Sequence, residues 1–268
     1  MYRWLFYFYL YSFLGWCFES AYVSVKSKHL VNRGFMSGPF LPIYGSGAVM
    51  MLIVSRPFQD SILLTYLAGC VGATLLEYLV GTATEALFQV RYWDYTGKFM
   101  NFRGQICLTS TIAWGFFTIL MTEVIHRPIQ QWTEGAPYGV IFTLTCMLTI
   151  YVFTDFFRSF RAALDMRDIL WRMDHMKQEM EHMQKRLDVL IAVADQTFTQ
   201  EREELHVKFQ ELRERRHQLR NLTDFYKRRL LLDNPGIISN RFKGALEEMK
   251  ESAREHLKDY CHKKDQNG

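Results

Sequence analysis

Long apolar segments alternate with short polar stretches over the first 157 residues of the chain. A helix needs about 20 predominantly apolar residues to cross a hydrocarbon layer roughly 30 Å thick. Five segments meet this requirement, at residues 4–25, 35–54, 61–88, 106–125 and 138–157. The pattern predicts an all-α fold that begins with a polytopic membrane helical bundle of about five transmembrane helices.

The pattern changes after residue 157, where charged residues become frequent. From Met166 to Thr197 apolar residues recur at alternating spacings of three and four, which is typical of a coiled-coil seam. A second register begins at Leu205 after a four-residue offset. Because residues 140–234 contain neither glycine nor proline, we expect the fifth span to continue into a long cytoplasmic coiled-coil helix over residues 158–232. A straight helix of this length would reach roughly 110 Å.

A polar helix of this length needs a partner for its apolar seam. The partner could be a second copy of the chain, a hairpin formed by folding back near residues 194–200, or another protein that meets the adaptable methionine surface. We favour a homo-oligomer through the coiled coil. After the helix-ending Asn234-Pro235-Gly236, Ser239 is expected to cap a short amphipathic helix that ends near Tyr260.

The distribution of charge separates the same regions. Residues 1–157 carry 9 of the 32 Lys and Arg and 8 of the 28 Asp and Glu, and residues 158–268 carry the other 23 and 20. Basic and acidic residues alternate in the tail, which is typical of a solvated surface, so we expect no nucleic-acid partner. The predicted domains are a transmembrane bundle at 1–157, a coiled-coil rod at 158–232, and a short C-terminal amphipathic helix and tail at 233–268.

Basic residues in the short loops indicate the orientation in the membrane. With five spans, Lys26, Lys28 and Arg33 share one side with Arg91, Lys98 and Arg103, and the other side has only Arg3, Arg56 and Arg127. The positive-inside rule then places the N-terminus outside and the tail in the cytoplasm. A four-span alternative, in which residues 35–54 are re-entrant, leaves four basic residues inside and five outside, so five spans fit better.

Residues 32–45, NRGFMSGPFLPIYG, form the cytoplasmic entry to the second predicted span. Prolines lack a backbone donor, and glycines permit backbone that is not helical. Irregular backbone at membrane depth persists only where protein or a wet cavity satisfies its polar groups. We therefore expect this entry to be packed into the bundle.

Carboxylates within apolar helices are costly and often functional. Glu19 and Glu85 lie towards the cytoplasmic ends of their spans, and Glu77 lies nearer the middle of the third. One interpretation is a polar inner cavity, lined by these three acids, that binds a cation, a proton or the polar group of a substrate. The other is that the acids pair with Arg33, Arg91 or Arg103 and fasten the loops to the bundle. The two interpretations are compatible.

Gly69, Gly72 and Gly81 give the third span a side on which another backbone can approach closely.

The loop at residues 89–105 combines aromatic and polar side chains. Asp94, Asn101 and Gln105 are plausible helix caps, and the N-termini of spans two and four add their partial positive charge to Arg33 and Arg103. An anion could bind there; an aromatic interface belt with helix caps is the alternative.

The chain has five cysteines but no CxxC pair, and it lacks HExxH, GxSxG and P-loop motifs. We expect no metal, cofactor or catalytic site.

Several short motifs follow one another in a distinctive order. They are Gly15-Trp16 with Glu19, Asn32-Arg33-Gly34-Phe35, Gly38-Pro39, Pro42-Ile43-Tyr44-Gly45, and Trp93-Asp94-Tyr95 with Asn101, Gly104, Ile106 and Cys107. Over roughly residues 5–155 the chain thereby resembles the bacterial putative ABC-transporter type IV permease family. Thr96, Phe99 and Met100 depart from the serine and proline associated with the family's WDY loop.

The resemblance implies a multi-pass protein of the bacterial cell membrane that acts as a permease-like transport component. Without a nucleotide-binding motif of its own, such a chain would need a separate ATPase or accessory subunit. The candidate substrate-binding residues are Glu19, Arg33, Tyr44, Glu77, Glu85, Asp94, Asn101 and Arg103. The alternative function is a non-catalytic membrane scaffold or sensor that works through its coiled-coil rod.

Overall fold

The structure is a computed structural model that describes residues 2–28, 30–193, 199–221 and 225–266. The regular elements of these residues are helices. Two isolated β-bridges also occur, Arg91↔Ile238 and Phe102↔Ile106. The helices are α1 (Tyr2–Ser27), α2 (Pro42–Ser55), α3 (Ile62–Phe88), α4 (Leu108–Ile119), α5 (His126–Gly135), α6 (Tyr138–Val193), α7 (Thr199–Asn221), α8 (Phe225–Asp233) and α9 (Lys243–Gln266). A 3₁₀ turn, Arg56–Phe58, follows α2, and a π-helical segment, Leu120–Ile125, joins α4 to α5.

The chain forms two compact units. The first contains Met1–Arg161 together with Asp233–Ile238, and the second contains Ala162–Leu232 together with Ser239–Gly268. The short segment Asp233–Ile238 therefore belongs to the first unit, although the residues on both sides of it belong to the second.

The core of the first unit lies where α1, α2, α3, the π-helical segment and α6 meet. The buried residues of this cluster are Phe6, Tyr7, Tyr11, Ala48, Met51, Leu52, Ala73, Met121 and Ile141. The prediction that glycines give the third span a side open to close approach is confirmed. A Cβ at Gly69 would meet Thr118 on α4, and one at Gly72 would meet Val54 on α2. Glycine at these positions lets α3 approach both neighbours closely.

The second predicted span, 35–54, is wrong at its start because α2 begins only at Pro42. Proline fits the first helical position, where a backbone donor has no helical partner. Residues 34–39 form bends, and Met36, Phe40 and Leu41 are buried. The expectation that this irregular entry is packed into the bundle is confirmed.

The fourth predicted span, 106–125, begins at Leu108 and continues as helical structure to Gly135. Its N-cap is Cys107, whose thiol accepts from the Ser110 backbone N–H while the Ser110 hydroxyl accepts from the Cys107 N–H. Asp94, Asn101 and Gln105 were expected as caps, but none caps α4. Cys17, Cys70, Cys107 and Cys146 are free thiols.

Three helical stretches of the described residues are long and apolar enough to cross a membrane, namely Ile62–Phe88, Leu108–Gly135 and Tyr138–Ile191. Helix α1 has 26 residues, or about 39 Å, but its many tyrosines lower its hydropathy. Helix α2 has 14 residues, or about 21 Å, and is shorter than a hydrocarbon layer.

The second unit is a helical hairpin with a third helix packed against it. The expected continuation of the fifth span is confirmed as far as Val193, but a straight rod over residues 158–232 is not observed, because α7 lies alongside α6. Arg186 on α6 pairs with Glu201 on α7 at 2.9 Å. The expected turning region, 194–200, falls mostly on residues 194–198, which lie outside the described residues.

Helix α9 closes the second unit. Arg216 on α7 pairs with Glu248 on α9 at 2.7 Å. The expected cap, Ser239, accepts from the Phe242 N–H at 3.0 Å in the turn that leads into α9, whose first residue is Lys243. The seam residues Met166, Met173 and Leu187 are buried. The apolar stripe that predicted a partner chain is therefore buried within the protein at these three positions, and Met176, Met180 and Met183 are half-buried.

Candidate functional site

The entry loop is fastened to α1 by side-chain hydrogen bonds. The Trp16 indole donates to the Asn32 side-chain oxygen at 2.6 Å, and the Asn32 amide donates to the Ser37 carbonyl at 2.9 Å. The Arg33 N–H donates to the Ser20 hydroxyl at 3.2 Å. These contacts place Arg33 beside the C-terminal end of α1.

Glu19 lies between α2 and this loop. The Tyr44 hydroxyl donates to Glu19 Oε2 at 2.5 Å, and Arg33 Nε lies 3.5 Å from Glu19 Oε1. The phenol reaches Glu19 because Gly15 leaves room for it: a Cβ at Gly15 would collide with Tyr44. Glu19 therefore pairs with one of the three arginines that the sequence offered as partners for the acids.

Glu77, on α3, is the most deeply placed of the three predicted acids, and it is only 6% exposed. Its Oε1 accepts from the Tyr95 hydroxyl at 3.0 Å, and its Oε2 accepts from the Trp114 indole at 3.0 Å and the Ser110 hydroxyl at 3.2 Å. All three of these donors are uncharged. They satisfy the carboxyl oxygens but do not neutralise a carboxylate.

Glu85 is held by the 89–105 loop. Arg91 Nε lies 2.7 Å from Glu85 Oε1, and the Gln105 amide donates to Glu85 Oε2 at 2.6 Å. Asp94 lies 3.7 Å from Arg91 Nη1. A Cβ at Gly81 would collide with the Gln105 side chain, so this glycine admits the amide to the surface of α3.

The turn of the 89–105 loop depends on Gly104. This residue has φ +69°, a conformation that disfavours a side chain, and its carbonyl accepts from the Tyr95 N–H at 2.8 Å. Trp93 donates to the Gln105 carbonyl at 2.9 Å. Asn101 is exposed and donates to the Thr96 and Lys98 carbonyls, so it shapes the turn.

Arg103 does not join the predicted site in the part of the chain that the structure describes. Its guanidinium lies over the ring of the neighbouring Phe102, 5.8 Å from the ring centre, and the side chain is exposed. The interpretation in which the acids pair with arginines thus holds for Glu19, with Arg33, and for Glu85, with Arg91. The hydrogen bonds described for Glu77 come from uncharged groups instead.

Tyr95 connects the two acids Glu19 and Glu77. It donates to Glu77 and is also close enough to Glu19 and Tyr44 for electrostatic interaction. Burial, and then the negative charge of Glu77, raise the pKa of the Tyr95 phenol well above its usual value, so the hydroxyl remains a donor at neutral pH. We call Glu19, Arg33, Tyr44, Glu77 and Tyr95 the inner cluster.

The remaining predicted motif residues shape the entry loop and α2. The Gly38 N–H donates to Asp155 Oδ2 at 2.7 Å, and Pro39 follows it in the irregular stretch. Pro42 begins α2, and Gly45 faces Ser12 and the Phe8 carbonyl on α1.

The segment Asp233–Ile238 binds both loops. The Asn234 amide donates to the Gly34 carbonyl at 3.1 Å, and Arg33 Nη1 donates to the Asp233 carbonyl at 3.3 Å. The backbones of Arg91 and Ile238 exchange two hydrogen bonds, of 2.7 and 2.9 Å. The sequence indicated a helix end here, but no local signal indicated this contact.

A second polar group, also missed from the sequence, lies towards the other end of α1. The Tyr11 hydroxyl and His126 Nδ1 are 2.8 Å apart, and the Tyr7 and Thr133 hydroxyls share a hydrogen bond of 2.8 Å. His126 directly follows the π-helical segment, a type of irregularity that is frequent at functional sites. Tyr7 and Tyr11, four residues apart and so on one face of α1, were the available signal.

No group of three or more His, Cys, Asp or Glu side chains able to hold a metal ion occurs among the described residues.

Apolar helices of spanning length, with a buried polar cluster among them, define a helical membrane protein. The chain belongs to the family described as putative ABC-transporter type IV, whose model matches residues 6–160 and so covers both loops and the inner cluster. The family description points to an ABC-transporter-related function. No curated protein and no solved structure shows significant similarity to the chain.

Proposed function

We propose that the protein is a permease-like component of a membrane transport system and that the inner cluster binds a small polar or ionic substrate from the cytoplasmic side. The observation that carries this proposal is the position of Tyr95, which donates to Glu77 and lies within electrostatic reach of Glu19. Through it, Glu77 on α3 is connected to Glu19 on α1, which in turn pairs with Arg33 of the entry loop.

The proposed topology has five spans, with the N-terminus outside and the C-terminal tail in the cytoplasm. Helices α1 and α2 fall short of the spanning criterion individually, but α1 packs on α2 and α2 packs on α3, which is of spanning length. Both loops that carry Arg33 and Arg91 then face the cytoplasm, in agreement with the positive-inside rule.

The donors around Glu77 support a cation, a proton or a hydrogen-bond-donating group as the bound species. A carboxylate with only uncharged partners remains a negative centre in a poorly hydrated place, and a bound cation or proton would lower that cost. Among the described residues, the buried hydroxyls of Ser37 and Tyr92 lack a hydrogen-bond partner, and Tyr92 interacts electrostatically with Arg33. They are further groups that a polar substrate could engage.

The proposal assigns the protein no enzymatic activity and no cofactor. Since the chain has no nucleotide-binding motif, ATP-driven transport would come from a separate ATPase or accessory subunit. Homo-oligomerisation remains part of the proposal, although the buried seam residues make the coiled coil a weaker basis for it.

Flux through proteoliposomes tests the proposed site. Vesicles that contain the full-length protein would be assayed with protons, alkali cations and a panel of small polar solutes. We expect Glu77→Gln and Arg33→Ala to abolish the flux that the wild type supports. Arg103→Ala is the matched control, because this loop arginine lies outside the cluster, and it should retain flux. Wild-type flux in both cluster variants would remove the inner cluster from the mechanism.

The compact second unit favours the alternative function, a membrane scaffold or sensor. Met166, Leu170 and Met173 are fully buried in it, so the cytoplasmic helices have a core of their own. If this unit is the working part, Met176→Glu with Met180→Glu should abolish function while Glu77→Gln leaves it intact. Full function after truncation at Ser159 would exclude the alternative.

A further inference from the structure

A cavity of about 410 Å³ lies beside the first turns of α4. This volume is within the range of small-molecule sites, and the lining is mostly apolar. Ser110, Ala113, Trp114 and Phe117 line it from one face of the helix, because residues three and four apart lie side by side. Tyr95 and Lys98 line it from the preceding loop, and Cys107 and Thr109 line it at the start of the helix.

The cavity faces outward from the helices. Ala113 and Phe117 are exposed, and so is the neighbouring Phe116, whereas the opposite side of α4 packs on α3 at Gly115 and Thr118. Because α4 belongs to a candidate membrane span, its exposed apolar face would be surrounded by acyl chains. The acyl chains of the bilayer are therefore available to occupy the apolar cavity.

The charge at the cavity selects among lipids. Lys98 is the one charged residue among the described side chains that line it, and the lining includes no acidic side chain to neutralise the lysine. Lys98 is exposed and lies in the loop just before α4, where the polar headgroups begin if α4 spans the membrane. A lysine in this position attracts an anionic headgroup.

We propose that this cavity is a specific binding site for one anionic phospholipid of the surrounding bilayer, with an acyl chain against Ala113 and Phe117 and the phosphate beside Lys98. The site does not depend on the proposed transport function. It shares a wall with the inner cluster, however, since Tyr95, Ser110 and Trp114 line the cavity and also donate to Glu77. A bound lipid would therefore lie against the same three side chains that donate hydrogen bonds to the Glu77 carboxyl.

Native mass spectrometry of the full-length protein in detergent tests the site. Dioleoyl phosphatidylglycerol and dioleoyl phosphatidylcholine would be titrated separately. We expect one phosphatidylglycerol to be retained per chain at concentrations where phosphatidylcholine is not. Lys98→Gln should weaken this retention roughly fivefold, which corresponds to about 1 kcal/mol per basic residue at a membrane surface. Lys26→Gln, in the last turn of α1, should not weaken it.

A second variant tests the apolar part of the site. Ala113→Trp fills the cavity on an exposed face and should abolish retention, whereas Ile112→Trp places the same indole at the preceding residue, outside the cavity, and should not. Equal retention of the two lipids, or equal retention by these two variants, would overturn the proposal. Displacement of the lipid by millimolar glycerol phosphate would also overturn it, since that would indicate a site for free anions.

If Ala113→Trp does not fold, a fluorescence measurement tests the same site in other proteins. Phosphatidylglycerol with brominated acyl chains should quench the tryptophan emission of the wild type more strongly than that of Trp114→Phe, because Trp114 lines the cavity. Identical quenching of the two proteins would place the bound chain elsewhere.

Discussion

The side-chain amide of Asn234 donates a hydrogen bond to the backbone carbonyl of Gly34, 3.1 Å away, although 200 positions separate the two residues in the chain. Both residues belong to the first compact unit, and Asn234 is buried. Together with the Arg91 and Ile238 backbone pair, this contact fastens the two loops that carry the arginines of the candidate site.

Removing the Asn234 amide should loosen the entry loop. Asn234→Ala leaves the Gly34 carbonyl without this donor in a buried place, at a cost of about 1–3 kcal/mol. We expect a lower Tm in detergent and faster tryptic cleavage after Arg33. Asn240→Ala, at an exposed position six residues on, should change neither. Equal protease resistance of Asn234→Ala and the wild type would show that the segment does not hold the loop.

Two glycines of α2 should respond oppositely to the same added methyl group. A Cβ at Gly45 would meet Ser12 and the Phe8 carbonyl, whereas a Cβ at Gly47 would meet nothing within 4 Å. Gly45→Ala should therefore destabilise the protein by about 1–3 kcal/mol through overpacking. Gly47→Ala should stabilise it by up to about 1 kcal/mol, because alanine is the better helix former. Thermal unfolding of both variants in one detergent checks the difference, and similar Tm values would contradict the packing of α1 on α2.

The proposed five-span topology predicts which loops share a side. In a background without native cysteines, Lys28→Cys and Lys98→Cys should be labelled by a membrane-impermeant maleimide from the same side, and Arg127→Cys from the other. The assay uses intact cells and inside-out vesicles. Labelling of Lys28→Cys and Lys98→Cys from opposite sides would refute an odd number of spans with both loops in the cytoplasm.

The hairpin of the second unit predicts intramolecular cross-links. Met180 on α6 and Phe209 on α7 line a common cavity of about 360 Å³. A short bismaleimide should link Met180→Cys to Phe209→Cys within one chain. The pair Met180→Cys and Val207→Cys is the control, because Val207 is exposed on another face of α7, and it should react slowly. A product of twice the monomer mass would instead support association of two chains along the seam.

Features that depend on neighbouring residues were the most predictable. The irregular entry loop follows from its prolines and glycines, and the close packing of α3 follows from Gly69, Gly72 and Gly81. The pairings of Glu19 with Arg33 and of Glu85 with Arg91 could be expected because acids in apolar helices need partners.

Features that depend on distant parts of the chain were not predictable from one sequence. Ser110 and Trp114 reach Glu77 only because α4 packs on α3, and Asn234 reaches Gly34 from the far end of the chain. Cys107 was missed as a cap because a thiol is an uncommon acceptor. Met166, Met173 and Leu187 of the predicted seam are buried, whereas the methionines between Met173 and Leu187 are half-buried. Periodicity alone does not distinguish a second chain from the protein's own α7 and α9 as the cover of such a seam.

The backbone pair between Arg91 and Ile238 also sets a temporal order for biosynthesis. The apolar helices that flank Arg91 leave the ribosome well before Ile238 is translated, since synthesis proceeds from the N-terminus. This pair can form only after the polypeptide has been extended past position 238. Maturation of the apolar helical half is therefore completed late, by a stretch of chain made after the hairpin of α6 and α7.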